Sequence, residues 1–283
     1  MQHNGAFLCV AVQQVLSTTC QVSGPGGRNS ACVEVQSTCR LTSCTLSSCS
    51  RGLSVIEEGS AHASNCYLLR NEYGACAVLG ASPTAISCSS SNCMETGFTA
   101  EDDSSLLELR DCVSDEDGAG CVACDGAMLR ATRVAVTRSE RAGYTVYEGA
   151  RAVLQDCSAK ASGVQSGDDP AYCAFDGVHC AGKGSTVHVE GCRSKNNRGC
   201  GVFAEEEAEV TVEGCHSSQH IGAGYFVDGA QMKVSGIVSE GDKTACSAVN
   251  RGWLTMEDVT VDGCLHSGQL HRKSFPDTVL EHV

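Results

Sequence analysis

The sequence is poor in several things that most globular enzymes have in quantity. Four prolines and one tryptophan occur in 283 residues, and only 5% of the chain is aromatic. A core must therefore be built from Ala, Val, Leu and Cys, and a composition rich in Gly and Ser argues against long helices. Cations are scarce too: 20 Lys and Arg stand against 34 Asp and Glu, a formal net charge of −14. That balance excludes a protein that tracks nucleic-acid phosphates, which needs clustered Lys and Arg to release counterions. No apolar run approaches the ~18 residues of a membrane span. The stretch Ala6 to Val12 is short and no Lys or Arg precedes it, a poor match to a secretory signal. The expectation is a cytoplasmic protein that binds neither nucleic acid nor membrane.

What is present in quantity is glycine (31) and cysteine (21). In a short secreted chain such cysteine use would mean a disulfide scaffold, but in a long chain without an evident leader it suggests buried thiols that pack as small apolar groups. The odd count leaves at least one thiol without an intramolecular partner.

Self-similarity decides the architecture. Val187, Val189 and Cys192 recur 23 residues later as Val210, Val212 and Cys215. The same frame gives Ala61, Ala63, Cys66; Thr84, Ile86, Ser89; Leu107, Leu109, Cys112; Leu129, Ala131, Val134; and Ala152, Leu154, Cys157. Beyond the clearest pair it gives Met232, Val234, Ile237 and Leu254, Met256, Val259. Steps are 22 or 23 residues except from Ala152 to Val187, where 35 residues imply an insertion. Two further columns accompany the frame. Gly80, Gly126, Gly149, Gly177, Gly229 and Gly252 form one, with Asp103 and Glu206 in its gaps. Gly74, Gly97, Gly120, Gly143, Ala171, Cys200, Ala223 and Cys246 form the other. Alternation within each V-x-V segment is period 2, hence strand, and strands this short bury a face only by stacking on their neighbours. The Leu/Asn ladder of leucine-rich repeats and the 3.6-residue period of helical repeats are both absent.

These residues resemble the right-handed parallel β-helix superfamily, the pectate-lyase-like fold, whose rungs commonly carry V-x-V-x-G-C/N followed by G-x-x-V-x-x-G. The resemblance implies an all-β, single-stranded solenoid of about 10 rungs over residues 31–264. A loop insertion is expected at about 159–183, with caps or tails at 1–30 and 265–283. Enzymes of that superfamily place carboxylates and an Arg or Lys on an outward strand face, the carboxylates binding cation or substrate and the base abstracting a proton. The column Asp111, Arg133, Asp156, flanked by Arg110, Arg130, His188 and Glu190, matches that description, and a ladder of salt bridges between rungs is satisfied by the same residues. The superfamily's N-T-D, G-H-G, R-I-K and D-P-H-D signatures are absent from the sequence, so its D-D pairs stand without the motifs that accompany them in those enzymes; H-E-x-x-H and the phosphate-binding G-x-x-x-x-G-K-[ST] are absent too.

Asp102, Asp125, Glu148, Asp176, Glu205 and Asp228 stand immediately before the turn-glycine column. Asp-Gly is a favoured turn pair, but Glu has no such advantage, so the row is either a solvated edge or a surface for something cationic. Ca²⁺ is compatible with an all-oxygen donor set, although no D-x-D-x-D-G loop accompanies it. Cys121 and Cys124 form one C-x-x-C, Cys39, Cys44 and Cys49 form a run, and Cys173, His179 and Cys180 lie close in sequence. A structural zinc needs a second close pair, so packing is expected instead and no metal is assigned. Asp168 and Asp169 form a carboxylate pair inside the insertion. The function expected from the sequence is a non-enzymatic scaffold that binds basic protein surfaces through the acidic edge and the inserted loop, without a cofactor. A polysaccharide lyase or hydrolase acting through Asp111, Arg133 and Asp156 is the alternative.

Overall fold

The computed structural model describes residues 2–4, 8–10, 15–18, 21–23, 30–163 and 176–270. The chain winds through three parallel sheets in strict rotation. One turn shows the pattern: Leu106–Arg110 lies in sheet I, Val113–Asp115 in sheet II and Ala119–Ala123 in sheet III. Met128–Thr132 then returns to sheet I and pairs in parallel with Leu106–Arg110, Leu107 opposite Leu129 and Leu109 opposite Ala131. Among the described residues repetition gives 11 strands in sheet I and 12 in each of the others, the period-2 solenoid expected from the repeat. The sheets continue beyond residues 31–264: Gln2–Asn4, Leu8–Val10 and Val15–Thr18 pair at one end, and His266–Leu270 at the other.

Inward residues of the three sheets meet in one continuous core. Leu107, Leu129, Leu154, Val189 and Val212 line its sheet I wall at 1% exposure or less. Each such side chain contributes about 1.5–3 kcal/mol relative to exposure. Phe98, Tyr144 and Tyr225 are fully buried in this core, and Tyr144 satisfies its hydroxyl by donating to the Val134 carbonyl at 2.8 Å. Cys32 and Cys49 form a disulfide.

Strand pairing corrects the sequence frame in one rung. Ala85, not Thr84 or Ile86, lies between Ala63 and Leu109, and Cys88, not Ser89, points into the core. A one-residue slip exchanges the two faces of a strand, so the inward column after sheet I is Cys44, Cys66, Cys88, Cys112, Val134, Cys157, Cys192, Cys215 and Ile237. The thiols do more than fill space. The backbone amides of Cys66, Cys157 and Cys192 donate to the sulfur of the next turn, at 3.4, 3.2 and 3.3 Å.

The small-residue column is also cleaner than expected. Pairing aligns Gly52, Gly74, Gly97, Gly120, Gly143, Gly177, Gly201 and Gly224, so Gly177 belongs here and not with the turn glycines. Successive turns approach so closely that a Cβ on Gly120 would lie 2.4 Å from the Gly143 carbonyl oxygen. The insertion is narrower than 159–183. Ser158–Lys160 is a sheet II strand and Val178–Ala181 a sheet III strand, so the extra length falls between Gly163 and Asp176. Asp168, Asp169 and Cys173 lie outside the described residues.

Candidate functional site

Three corners join the sheets, and each treats its charges differently. The corner from sheet I to sheet II is one left-handed residue, filled by Asn65, Ser87, Asp111, Arg133, Asp156, Gly191 and Gly214 in successive turns. Asp111, Arg133 and Asp156 therefore sit on a corner and not on an outward strand face. Arg133 grips Asp111 in a bidentate pair, Nε to Oδ1 at 2.6 Å and Nη2 to Oδ2 at 2.9 Å. That hydrogen bond holds the Asp111 carboxyl below its usual range and pushes the Arg133 guanidinium above its own. An arginine so held keeps its proton, the reverse of what proton abstraction requires. Of the flanking residues, Arg130 pairs with Glu108 at 3.4 Å.

The corner from sheet II to sheet III is neutralised outside and polar inside. On its surface Arg138 holds both Asp115 and Glu116, and Arg141 reaches Glu95 at 3.1 Å. Beneath, a buried ladder runs Asn71, Cys93, Asp117, Ser139, Ser162, Asn197, His220, Asp242. Its members accept backbone amides of the preceding turn: Cys49 to Asn71 (3.0 Å), Cys93 to Asp117 (2.7 Å), Ser162 to Asn197 (2.9 Å), Asn197 to His220 (3.0 Å) and His220 to Asp242 (2.9 Å). Serines three residues upstream complete the bonding, Ser114 to Asp117 and Ser239 to Asp242 each at 2.6 Å. Burial pushes Asp117 up to about 6 and pulls His220 down. A repeating S-x-x-[DNH], at Ser114, Ser194, Ser217 and Ser239, is the sequence signal for this ladder.

The corner from sheet III back to sheet I carries the expected acidic row, in part. Asp102, Asp125 and Glu148 share one position, two residues beyond the paired Ala100, Ala123 and Val146. All three adopt positive φ. Asp102 accepts the Leu79 amide at 3.2 Å. Asp125 and Glu148 lie within hydrogen-bonding reach, and that bond together with their mutual repulsion raises the Glu148 pKa. Among the described residues no Lys or Arg pairs with any of the three.

The other three members of the row lie elsewhere. Glu205 and Asp228 occupy the last position of their sheet III strands, one residue earlier. Glu205 accepts from His179 Nε2 at 2.9 Å, which lowers its pKa, and Asp228 accepts the Asn250 amide at 2.8 Å. Asp176 is 3% exposed at the start of sheet III, where it accepts the Cys200 backbone amide and burial pushes its carboxyl up to about 6. Sequence reading also missed an aromatic row on the outer face of sheet III, where His179 stacks on Phe203 at 5.1 Å and Phe203 meets Phe226 at 5.2 Å.

The C-x-x-C pair does not converge. Cys121 faces the core, whereas Cys124 packs with Ala119 and Val122 on the outer side of the same sheet. Among the described residues no three His, Cys, Asp or Glu side chains are placed to hold a metal ion, and no helix is long and apolar enough to cross a membrane.

A family model described as right handed beta helix region matches residues 6–159 and 129–275. No curated protein matches by sequence. Among solved structures, the A-module of Azotobacter vinelandii mannuronan C-5 epimerase AlgE4 is similar at 13% identity and a TM-score of 0.42, over 93% of this chain and 89% of that one. The A-module of the AlgE6 epimerase of the same organism is similar at 12% identity and a TM-score of 0.33, over 92% and 82%. Likeness at these levels assigns no activity.

Proposed function

This chain belongs to the right-handed β-helix family, and on that premise we propose that it is a non-enzymatic scaffold whose sheet III to sheet I corner receives a basic protein surface. The observation that carries this reading is the unneutralised row Asp102, Asp125, Glu148 on a molecule whose other corners pair Asp111, Asp115, Glu116 and Glu95 with Arg133, Arg138 and Arg141. The proximity of Asp125 that raises the proton affinity of Glu148 is relieved when a Lys or Arg from a partner inserts between the two carboxyls. Solenoids offer such rows at a fixed pitch of about 4.8 Å, which an extended basic segment can follow. The donors are oxygens, the class Ca²⁺ takes, but no three carboxylates among the described residues are placed to share one ion. The row therefore acts as separate charges.

An enzymatic reading through Asp111, Arg133 and Asp156 has less support, because Arg133 is committed to Asp111. The test is fluorescence anisotropy with a labelled Lys/Arg-rich peptide. Binding is expected to weaken at least tenfold between about 50 and 500 mM NaCl, and about tenfold at fixed salt in the Asp102→Asn, Asp125→Asn, Glu148→Gln triple variant. Unchanged affinity in the triple variant overturns the proposal.

A further inference from the structure

The sheet III to sheet I corner is not uniform along the solenoid. Between the last paired residue of sheet III and the first of sheet I, one turn has Glu206, Glu207 and Ala208, and the turn two further on has Asn250, Arg251 and Gly252. The turn between them has only Gly229 and Ala230. One missing residue sets this corner back between two projecting neighbours and opens a cleft of about 620 Å³. That volume lies within the ~300–1,000 Å³ typical of ligand sites. The walls stand two strand spacings apart, about 9–10 Å.

The lining has a definite chemistry. Trp253 forms one wall, 41% exposed, and its indole nitrogen donates to Thr255 Oγ1 on the same strand at 3.0 Å, which fixes the ring in place. Around it stand Glu209, Gln231, Arg251 and the Lys183–Glu207 pair, at 3.6 Å. An apolar plate ringed by carboxylate, amide and guanidinium groups complements a ligand that is apolar on its face and hydroxylated around its edge. Two cations and two carboxylates line the cleft, so its local charge is balanced, while the chain as a whole carries −14 and repels polyanions.

We propose that this notch is a binding subsite for one unit of a neutral saccharide chain, stacked on Trp253 and hydrogen-bonded through Glu209, Gln231 and Arg251. It is separate from the Asp102–Asp125–Glu148 row and independent of the protein partner that row receives. The proposal concerns binding alone.

Trp253 is the chain's one tryptophan, so intrinsic fluorescence reports on the notch directly. The full chain is titrated with cellopentaose and mannopentaose as neutral probes, a galacturonate pentamer as the acidic probe, and sorbitol as a control. A saturable spectral shift with at least one neutral pentamer, unchanged between 50 and 500 mM NaCl, is the expected result. Inserting one alanine between Gly229 and Ala230 restores the neighbours' corner length and fills the notch. That variant, and Gln231→Ala, should weaken binding at least about tenfold with circular dichroism unchanged. The Asp102→Asn, Asp125→Asn, Glu148→Gln variant should bind saccharide as the parent does. No saturable shift with either neutral pentamer, an equal shift with sorbitol, stronger and salt-sensitive binding of the galacturonate pentamer, or full binding by the filled variant would each overturn the proposal.

Discussion

Two corners of the same turn make the most instructive contrast in this molecule. Between sheets II and III the chain is tight: glycine carbonyls stack on glycine carbons, a buried polar ladder closes backbone amides, and Arg138 and Arg141 neutralise the outside. Between sheets III and I the chain is loose: corner length varies, two left-handed residues take most side chains, and the carboxylates of Asp102, Asp125 and Glu148 face water without cations. One corner fixes the pitch of the solenoid, and the other is left to vary and carry surface chemistry. A repeat protein can hold its fold with one part of each repeat and diversify with another.

The largest effect that would sharpen this contrast is a pair of glycine substitutions. Gly120→Ala places a Cβ 2.4 Å from both the Gly143 oxygen and a Val136 methyl group. Backbone there cannot move without shifting the stack, so a loss of at least about 3 kcal/mol in urea unfolding is expected. Gly126→Ala, in the loose corner at φ +82° with nothing nearer than 3.4 Å, should cost only about 1–2 kcal/mol for the left-handed conformation. Equal costs would erase the distinction between the corners.

A second test concerns the tight corner's interior. Asp117 titrates near 6 in the fold against 3.8 in the unfolded chain. As pH falls the native state takes up this proton first, so the group favours folding most below about pH 4, and that contribution is lost as pH rises through about 6. Asp117→Asn keeps an acceptor for the Cys93 amide and removes the charge. Relative to the parent it should gain on the order of 2 kcal/mol at pH 7.5 and nothing at pH 4. A pH-independent difference would mean that Asp117 is not buried as described.

The smallest effects belong to the surface. Arg133→Ala, which breaks an exposed pair, and the triple variant of the acidic row should each shift the melting temperature by less than about 2 °C at 150 mM NaCl. Only the triple variant should change binding of a basic peptide. If Arg133→Ala alone abolished that binding, the functional edge would be the other corner.

The repeat length, the stacked parallel solenoid and most of the inward V-x-V positions were legible in the sequence, because a period-2 pattern and a 23-residue recurrence are properties of the chain alone. The rung at Thr84–Ser89 was misframed because Thr, Ile and Ser mimic the apolar-apolar-small pattern that Ala85 and Cys88 satisfy once paired. The acidic row was assembled from position relative to glycine, and this mixed two corners. Gly177 belongs to the stack with Gly143 and Gly201, and its neighbour Asp176 is accordingly buried beneath sheet III's first turn residues and not on the edge. Glycine in a solenoid answers two different demands, close approach and positive φ, and only strand pairing tells them apart. The notch at Gly229 and Ala230 was illegible for a related reason: a one-residue deletion in a 23-residue repeat looks like ordinary variation until its neighbours are stacked beside it.

The column of thiols has a consequence for how the protein fails. Cys66, Cys88, Cys112, Cys157, Cys192 and Cys215 are sealed inside neighbouring turns, and burial pushes Cys76, Cys180 and Cys246 up to about 12. Folded, these sulfurs meet neither oxidant nor metal. Unfolding releases them together on one flexible chain, where each becomes a nucleophile for any other. Crosslinks formed on the open chain block its rewinding, so under oxidising conditions the useful lifetime of the molecule is set by how seldom it opens, and the equilibrium between folded and unfolded chain is read with a reductant present.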